Sequence, residues 1–313
     1  MRPDDRPLRP SAPSLTARAP DEVEHFFTVD VEEYFQVNAF ESRVARADWS
    51  RYPSRLAASM ERLLLLLEER QVRATFFTLG WIAQQHPHLV RDLAAAGHEV
   101  ASHGWWHHRV TGQSRSAFRE DVTASKAILE DVTGRPVRGY RAPSFSVVPG
   151  CEWALDTLLE CGYAYDSSLF PIRRRGYGHE AAIPVPHVLA RREGDLYEFP
   201  PATIKLFDRR LPAAGGGWFR HLPYALTARA FRTFAAQGIA TVFYIHPWEL
   251  DPEQPRLDVP MLTRLRHYGG LSSTTPRLRR LLGEFKFTTI GSVLDRNLAP
   301  PKPRSSGRLV SVS

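Results

Sequence analysis

Of the 41 basic side chains in this 313-residue chain only four are lysine, at 126, 205, 286 and 302, which leaves 37 arginines. The net charge of +7 is spread along the sequence rather than gathered in one stretch. That argues against a nucleic-acid footprint, which needs cations clustered on one face. There are two cysteines, Cys151 and Cys161, ten apart on what reads as one helix. On such a helix they stand on the order of 15 Å apart, too far to bridge. They carry no information about a redox compartment. No apolar run reaches membrane-spanning length, and the longest aliphatic stretch, Leu63 to Leu67, lies inside a charged amphipathic segment. The first residues hold Arg, Pro and Asp where a secretory signal needs an apolar core. The resulting expectation is a soluble, cytoplasmic protein without a transmembrane segment and without a nucleic-acid partner.

What the sequence does have is alternation. Apolar runs at His25–Asp30, Arg73–Leu79, His98–Ser102, Val137–Tyr140, Tyr163–Asp166, Thr241–Ile245 and Phe287–Ile290 read as strands. Helical spacing falls between them, at about 53–70, 87–96, 116–133, 149–161, 224–237 and 276–283. Repeated strand–helix units of this kind predict an α/β fold on a parallel sheet. Residues 1–20 and 299–313, rich in Pro, Ser and Arg, are expected to be disordered tails around one domain over 21–298. Residues 167–222 break the alternation and read as inserted hairpins and loops over one face.

The strands up to Tyr163–Asp166 lead into polar or ionisable residues, which suggests one face collecting Asp30, Glu32, His103, His107, Arg141 and Asp166, and the later strand Thr241–Ile245 ends at His246. His103 and His107 converge on one ion if the backbone turns helical after Gly104, because residues four apart share a helix face. Two imidazoles and a carboxylate make a ligand set for a hydrolytic divalent metal, Zn²⁺ first and Co²⁺, Ni²⁺ or Fe²⁺ as alternatives. Asp30 and Glu32, two apart on a strand, point the same way. One can ligate while the other takes a proton from water.

These residues resemble the polysaccharide deacetylases of carbohydrate esterase family four, with the NodB homology domain. Thr28-Val29-Asp30-Val31-Glu32 is similar to the first motif of that family, and Ser102-His103-Gly104-Trp105-Trp106-His107 to the second. Arg141-Ala142-Pro143, Tyr165-Asp166 and His246 are similar to the third, fourth and fifth. Two later stretches, 215–220 and 243–256, resemble the subgroup encoded with exosortase (PEP-CTERM) exopolysaccharide loci. The resemblance implies a distorted (β/α)₇ barrel with inserted loops that hydrolyses an N-acetyl amide on an amino-sugar polysaccharide. Carried over by position, it makes Asp30 the base and Glu32, His103 and His107 the ligands. Arg141 then orients Asp30, Asp166 holds His246, and His246 protonates the leaving amine. His108 is left as a bystander.

The chain departs from the family pattern at Glu32, where Asp is usual, at Ser144, where Tyr is usual, and at Tyr244, where Leu is usual. The backbone N–H of Ser144 is a candidate oxyanion donor, and Tyr244 stands at the acetyl pocket. Trp218 and Trp248 are expected to stack on sugar rings. Two other readings remain open: hydrolysis of a small cyclic amide on the same barrel, and a metal-free carbohydrate-binding protein.

Overall fold

A computed structural model describes residues 18–298, apart from 175, 192 and 208 and the side chains of 297 and 298. Most of both expected tails, 1–17 and 299–313, lies outside the described residues. Residues 18–20 do not behave as a tail, since Arg18 N donates to Gly238 O at 3.0 Å and a 3-10 turn forms at Pro20–Glu22.

Eleven strands are described: β1 (Glu24–Val31), β2 (Thr75–Thr78), β3 (Glu99–Ser102), β4 (Gly139–Tyr140), β5 (Tyr165–Asp166), β6 (His187–Arg191), β7 (Gly194–Glu198), β8 (Thr203–Leu206), β9 (Arg209–Pro212), β10 (Val242–Ile245) and β11 (Lys286–Thr288). The main sheet runs β10-β1-β2-β3-β4-β5-β7-β6, parallel throughout except for the β6–β7 hairpin. Beyond β7 the chain reaches β10 through a parallel bridge between Pro201 and Val242, with Ala202 N donating to Val242 O at 3.0 Å. That contact closes a ring of seven strands, so the fold is the expected α/β barrel. A parallel strand in such a ring is covered on both faces, and seven of the eight residues of β1 are accordingly buried.

The segment expected to be only an insertion contributes β7, a strand of the barrel itself. Its alternation escapes notice because a hairpin partner, β6, precedes it in place of a helix. The β8–β9 hairpin, in contrast, is a true excursion from the ring.

Around the ring the helices follow the apolar spacing. Leu56–Glu69 buries Leu56, Met60, Leu63 and Leu67 along one stripe. Arg115–Thr133 is capped by Ser114, whose hydroxyl accepts from Ala117 N at 3.2 Å, and ends on Gly134 at φ +65°. The last expected helix starts five residues earlier than its proline suggests, spanning Leu271–Glu284 with Pro276 inside. Gly270, left-handed at φ +72°, sets that start. Four helices escape the sequence reading, Gly80–Gln85, Gly216–His221, Met261–Tyr268 and Ile290–Leu298. Cys151 and Cys161 are half-buried and unpaired. No helix among the described residues is long and apolar enough to cross a membrane.

Register explains why the strand ends collect chemistry. Val31, Thr78, Ser102, Tyr140, Asp166 and Glu198 are successive partners across five strand pairs. The residues one step further, among them Glu32, His103 and Arg141, therefore emerge together at the C-terminal rim, where Asp30 sits one position below Val31.

Closure also depends on a glycine. Gly215 bridges to Tyr244 at φ +143°, and a Cβ there would lie 1.7 Å from Tyr244 O. Gly215→Ala is expected to cost at least about 2 kcal/mol by chemical denaturation, since overpacking and backbone strain each cost on the order of 1–3 kcal/mol. An unchanged denaturation midpoint contradicts this account of the closure.

Candidate active site

The core of the site is a buried ion pair. Arg141, wholly inaccessible to solvent, donates from Nη1 to Asp30 Oδ1 at 2.6 Å and to Thr28 Oγ1 at 2.8 Å. Its Nη2 donates to Ser167 Oγ at 2.8 Å, its Nε to Ser167 O at 3.3 Å, and its plane lies 4.1 Å from the Phe77 ring centre. The guanidinium thus has partners from three strand ends, which fixes Asp30 from behind.

Beside this pair, Glu32, His103 and His107 bring one ligand atom each to within 4.8 Å of one another, all buried. His103 Nδ1 sits 2.8 Å from Arg141 O, which directs Nε2 into the cluster. His107 Nε2 and Glu32 Oε2 are 2.8 Å apart, and Trp248 Nε1 donates to Glu32 Oε1 at 3.1 Å. Burial lowers His103 to about 4, so its imidazole is neutral at pH 7. Burial alone would raise Glu32, but His107 and His246 outweigh it and hold the carboxylate at about 2. A neutral imidazole and an ionised carboxylate are the ligating forms. His107 Nδ1 is moreover buried without a hydrogen-bond partner. These donors fit a divalent metal.

The second histidine does not arrive by a helical turn. From Gly104, at φ +75°, to His107, at φ +53°, the chain is an irregular loop. It is held by side chains and neighbouring backbone: Gly80 N and Ser125 Oγ donate to Gly104 O, Trp105 N donates to Asp121 Oδ2, and Arg46 donates to Trp106 O and His107 O. The cluster is as expected, but tertiary anchors rather than the i, i+4 spacing of a helix bring its members together. His108 faces a neighbouring cleft with Trp105 and Trp106.

His246 lies across the site, with Nε2 at 3.8 Å from Asp30 Oδ2 and 3.6 Å from Glu32 Oε1. Its other nitrogen is held by Glu249, not by Asp166. Glu249 Oε1 lies 2.7 Å from His246 Nδ1 and accepts from His246 N at 3.1 Å, and Glu249 Oε2 accepts from Arg220 Nε at 2.6 Å. Burial opposes the charge on His246, but Glu32, Glu249 and Asp30 overcome it and raise its pKa to about 9. Glu249 was legible in outline: Pro247 at the first helical position and Glu three residues after His246 form a capping-box pattern.

Asp166 instead supports the Arg141 loop. Ser168 Oγ donates to Asp166 Oδ1 at 2.5 Å and accepts from Ala142 N at 2.7 Å. Asp166 is fully buried near Glu198; burial raises it to about 6, and burial together with the Asp166 charge raises Glu198.

Trp248 is no sugar platform. It is buried, 6% exposed, and sandwiched between His246 at 5.1 Å and His267 at 4.3 Å. Trp218 is half-buried with the Arg174 guanidinium 4.7 Å over its ring. Tyr244 walls the site between Phe145 and His246, 4.9 and 5.9 Å away by ring centres. Ser144 adopts φ +54° and accepts from Asn38 Nδ2 at 2.5 Å.

Comparison with known proteins agrees with this geometry. Residues 51–156 match the polysaccharide deacetylase family, and residues 167–295 match a domain of unknown function, DUF3473. A peptidoglycan deacetylase of Helicobacter pylori is 30% identical over 34% of this chain and 36% of its own length. A chitooligosaccharide deacetylase of Rhizobium leguminosarum bv. trifolii is 41% identical over 26% of this chain and 40% of its own. The chain thus spans well under half the length of these relatives. Among solved structures, Puue allantoinase superposes with a TM-score of 0.62 at 15% identity, over 94% of this chain and 95% of that one, a likeness of fold alone. The polysaccharide deacetylase match, residues 51–156, covers the stretch that carries His103 and His107, and the remaining strand-end residues converge on those two histidines.

Proposed function

We propose that the protein is a metal-dependent hydrolase that removes N-acetyl groups from an amino-sugar polysaccharide, in exopolysaccharide biosynthesis. The observation that carries the reading is the buried Arg141–Asp30 pair directly beside the Glu32, His103 and His107 cluster, with His246 opposite. The names of the relatives above support an acetylated glycan as substrate. Exopolysaccharide assembly is supported by the resemblance of stretches 215–220 and 243–256 to the exosortase-locus subgroup.

Glu32, His103 and His107 would hold the metal, which when bound would supply a polarised water and a Lewis acid for the acetyl carbonyl. Asp30, its Oδ1 pinned by Arg141, presents Oδ2 to accept the proton of the attacking water. His246 holds its proton at Nε2 because Glu249 accepts from Nδ1, and it delivers that proton to the leaving amine. Tyr244 and the positive-φ turn at Ser144 bound the acetyl side. A cleft lined by Trp105, Trp106, His108, Gln113 and Asp121 adjoins the His107 loop, which favours an extended substrate over a small cyclic amide.

Acetate release from chito-oligosaccharides and peptidoglycan fragments, abolished by chelation, is the expected result. Turnover of small cyclic amides with no acetate from any glycan overturns the reading. In Asp30→Asn, acetate release is expected to fall by roughly 10²–10⁴ with metal still bound, the range for loss of a general base. Turnover within tenfold of wild type removes Asp30 from that role.

Glu249→Gln takes away a negative neighbour and lowers the pKa of His246. Because the histidine acts in its protonated form, the alkaline limb of the rate profile is expected to move to lower pH. Asp166→Asn, which mimics a protonated carboxyl, should leave that limb in place. The opposite pattern returns the support of His246 to Asp166.

A further inference from the structure

The helix Met261–Tyr268 buries only His267 and Tyr268. Met261, Leu262 and Leu265 are 76%, 81% and 60% exposed, three of the few large apolar side chains the described surface presents to solvent. At roughly 100° per residue they occupy one arc of about 100°, with Arg264 on one side and Arg266 on the other. Arg256, exposed just upstream, lies 4.6 Å over the Tyr268 ring on the buried side of the same helix. None of these three guanidinium groups forms an ion pair among the described residues. The exposed acids nearest in sequence are Glu253 and Asp258, both before the helix, which itself carries none.

Three apolar side chains fall well short of the roughly 800 Å² per partner of a standard protein interface, so the patch is too small to hold a second copy of the chain. An apolar arc flanked by unpaired arginines is instead the composition of a helix that lies in a lipid headgroup layer, apolar side chains inward and cations on the phosphates. The position is equally telling. His267 on the inner face stacks on Trp248 at 4.3 Å, and Trp248 stacks on His246 at 5.1 Å. Whatever seats this helix lies two rings from the candidate proton donor.

We propose that Met261–Tyr268 docks the protein on an anionic lipid surface, with Met261, Leu262 and Leu265 entering the headgroup layer and Arg264 and Arg266 contacting lipid phosphates. Docking there holds the C-terminal rim of the barrel against the bilayer, where a lipid-linked glycan would be presented. The docking itself does not depend on the hydrolytic reading, because it is measured without turnover.

Cosedimentation of the full chain with vesicles of phosphatidylcholine alone, or mixed with phosphatidylglycerol, is the test. Binding is expected to the mixed vesicles and to weaken with salt. The triple variant Met261→Ser, Leu262→Ser, Leu265→Ser and the double variant Arg264→Gln, Arg266→Gln are each expected to weaken it about tenfold or more. All five positions are exposed, so thermal melts of both variants should match wild type. Absence of binding to the mixed vesicles overturns the proposal, as does undiminished binding of the triple variant. A wild-type dimer that the triple variant turns into a monomer by light scattering also overturns it and gives the patch to self-association.

Discussion

A guanidinium with no exposed surface is the constraint on which the rest of the site rests. Taking Arg141 out of water is tolerable only because Asp30 neutralises it and Thr28, Ser167 and the face of Phe77 take up the remaining donors and the cation. Removing one partner of such a pair strands a buried charge at a cost of about 3–5 kcal/mol. The pair therefore ties β1, β4 and β5 together at their C-terminal ends and gives Asp30 one orientation. The same arginine, through its backbone carbonyl, turns His103 so that its free nitrogen faces Glu32 and His107. Asp30 and His103 are thus positioned by one residue acting through two different groups.

A second chain of contacts sets the opposite wall. Arg220 binds Glu249, and Glu249 binds both the backbone and the ring of His246. Arg220 also donates to the carbonyls of His267 and Gly269, which fastens the helix bearing Met261, Leu262 and Leu265 to the same carboxylate network. The two stretches 215–220 and 243–256, far apart in sequence, thus form one unit: Gly215 lies against the Tyr244 backbone, and Arg220 reaches Glu249.

Much of this was legible in the sequence because parallel register is strict. Once strands are recognised at His25–Asp30, His98–Ser102 and Val137–Tyr140, their ends must share a rim, and Asp30, Glu32, His103 and Arg141 meet there as expected. What sequence spacing misses is tertiary. The separation of His103 and His107 suggests a helix, but a loop pinned by Asp121, Ser125 and Arg46 does the work, and nothing local in 104–106 announces those anchors. Asp166, at a strand end like the others, faces Glu198 and Ser168 because the next strand of the barrel arrives through a hairpin. Trp248 looks like a sugar platform in sequence and is a buried spacer between two histidines.

The central claim is that Glu32, His103 and His107 form one metal site on a rim set by Arg141. Calorimetric titration of the metal-stripped protein with Zn²⁺ tests it most directly. One site per chain is predicted, lost or strongly weakened in Glu32→Ala, His103→Ala and His107→Ala and unchanged in His108→Ala. Binding that survives the first three substitutions, or that disappears with His108, would contradict the account.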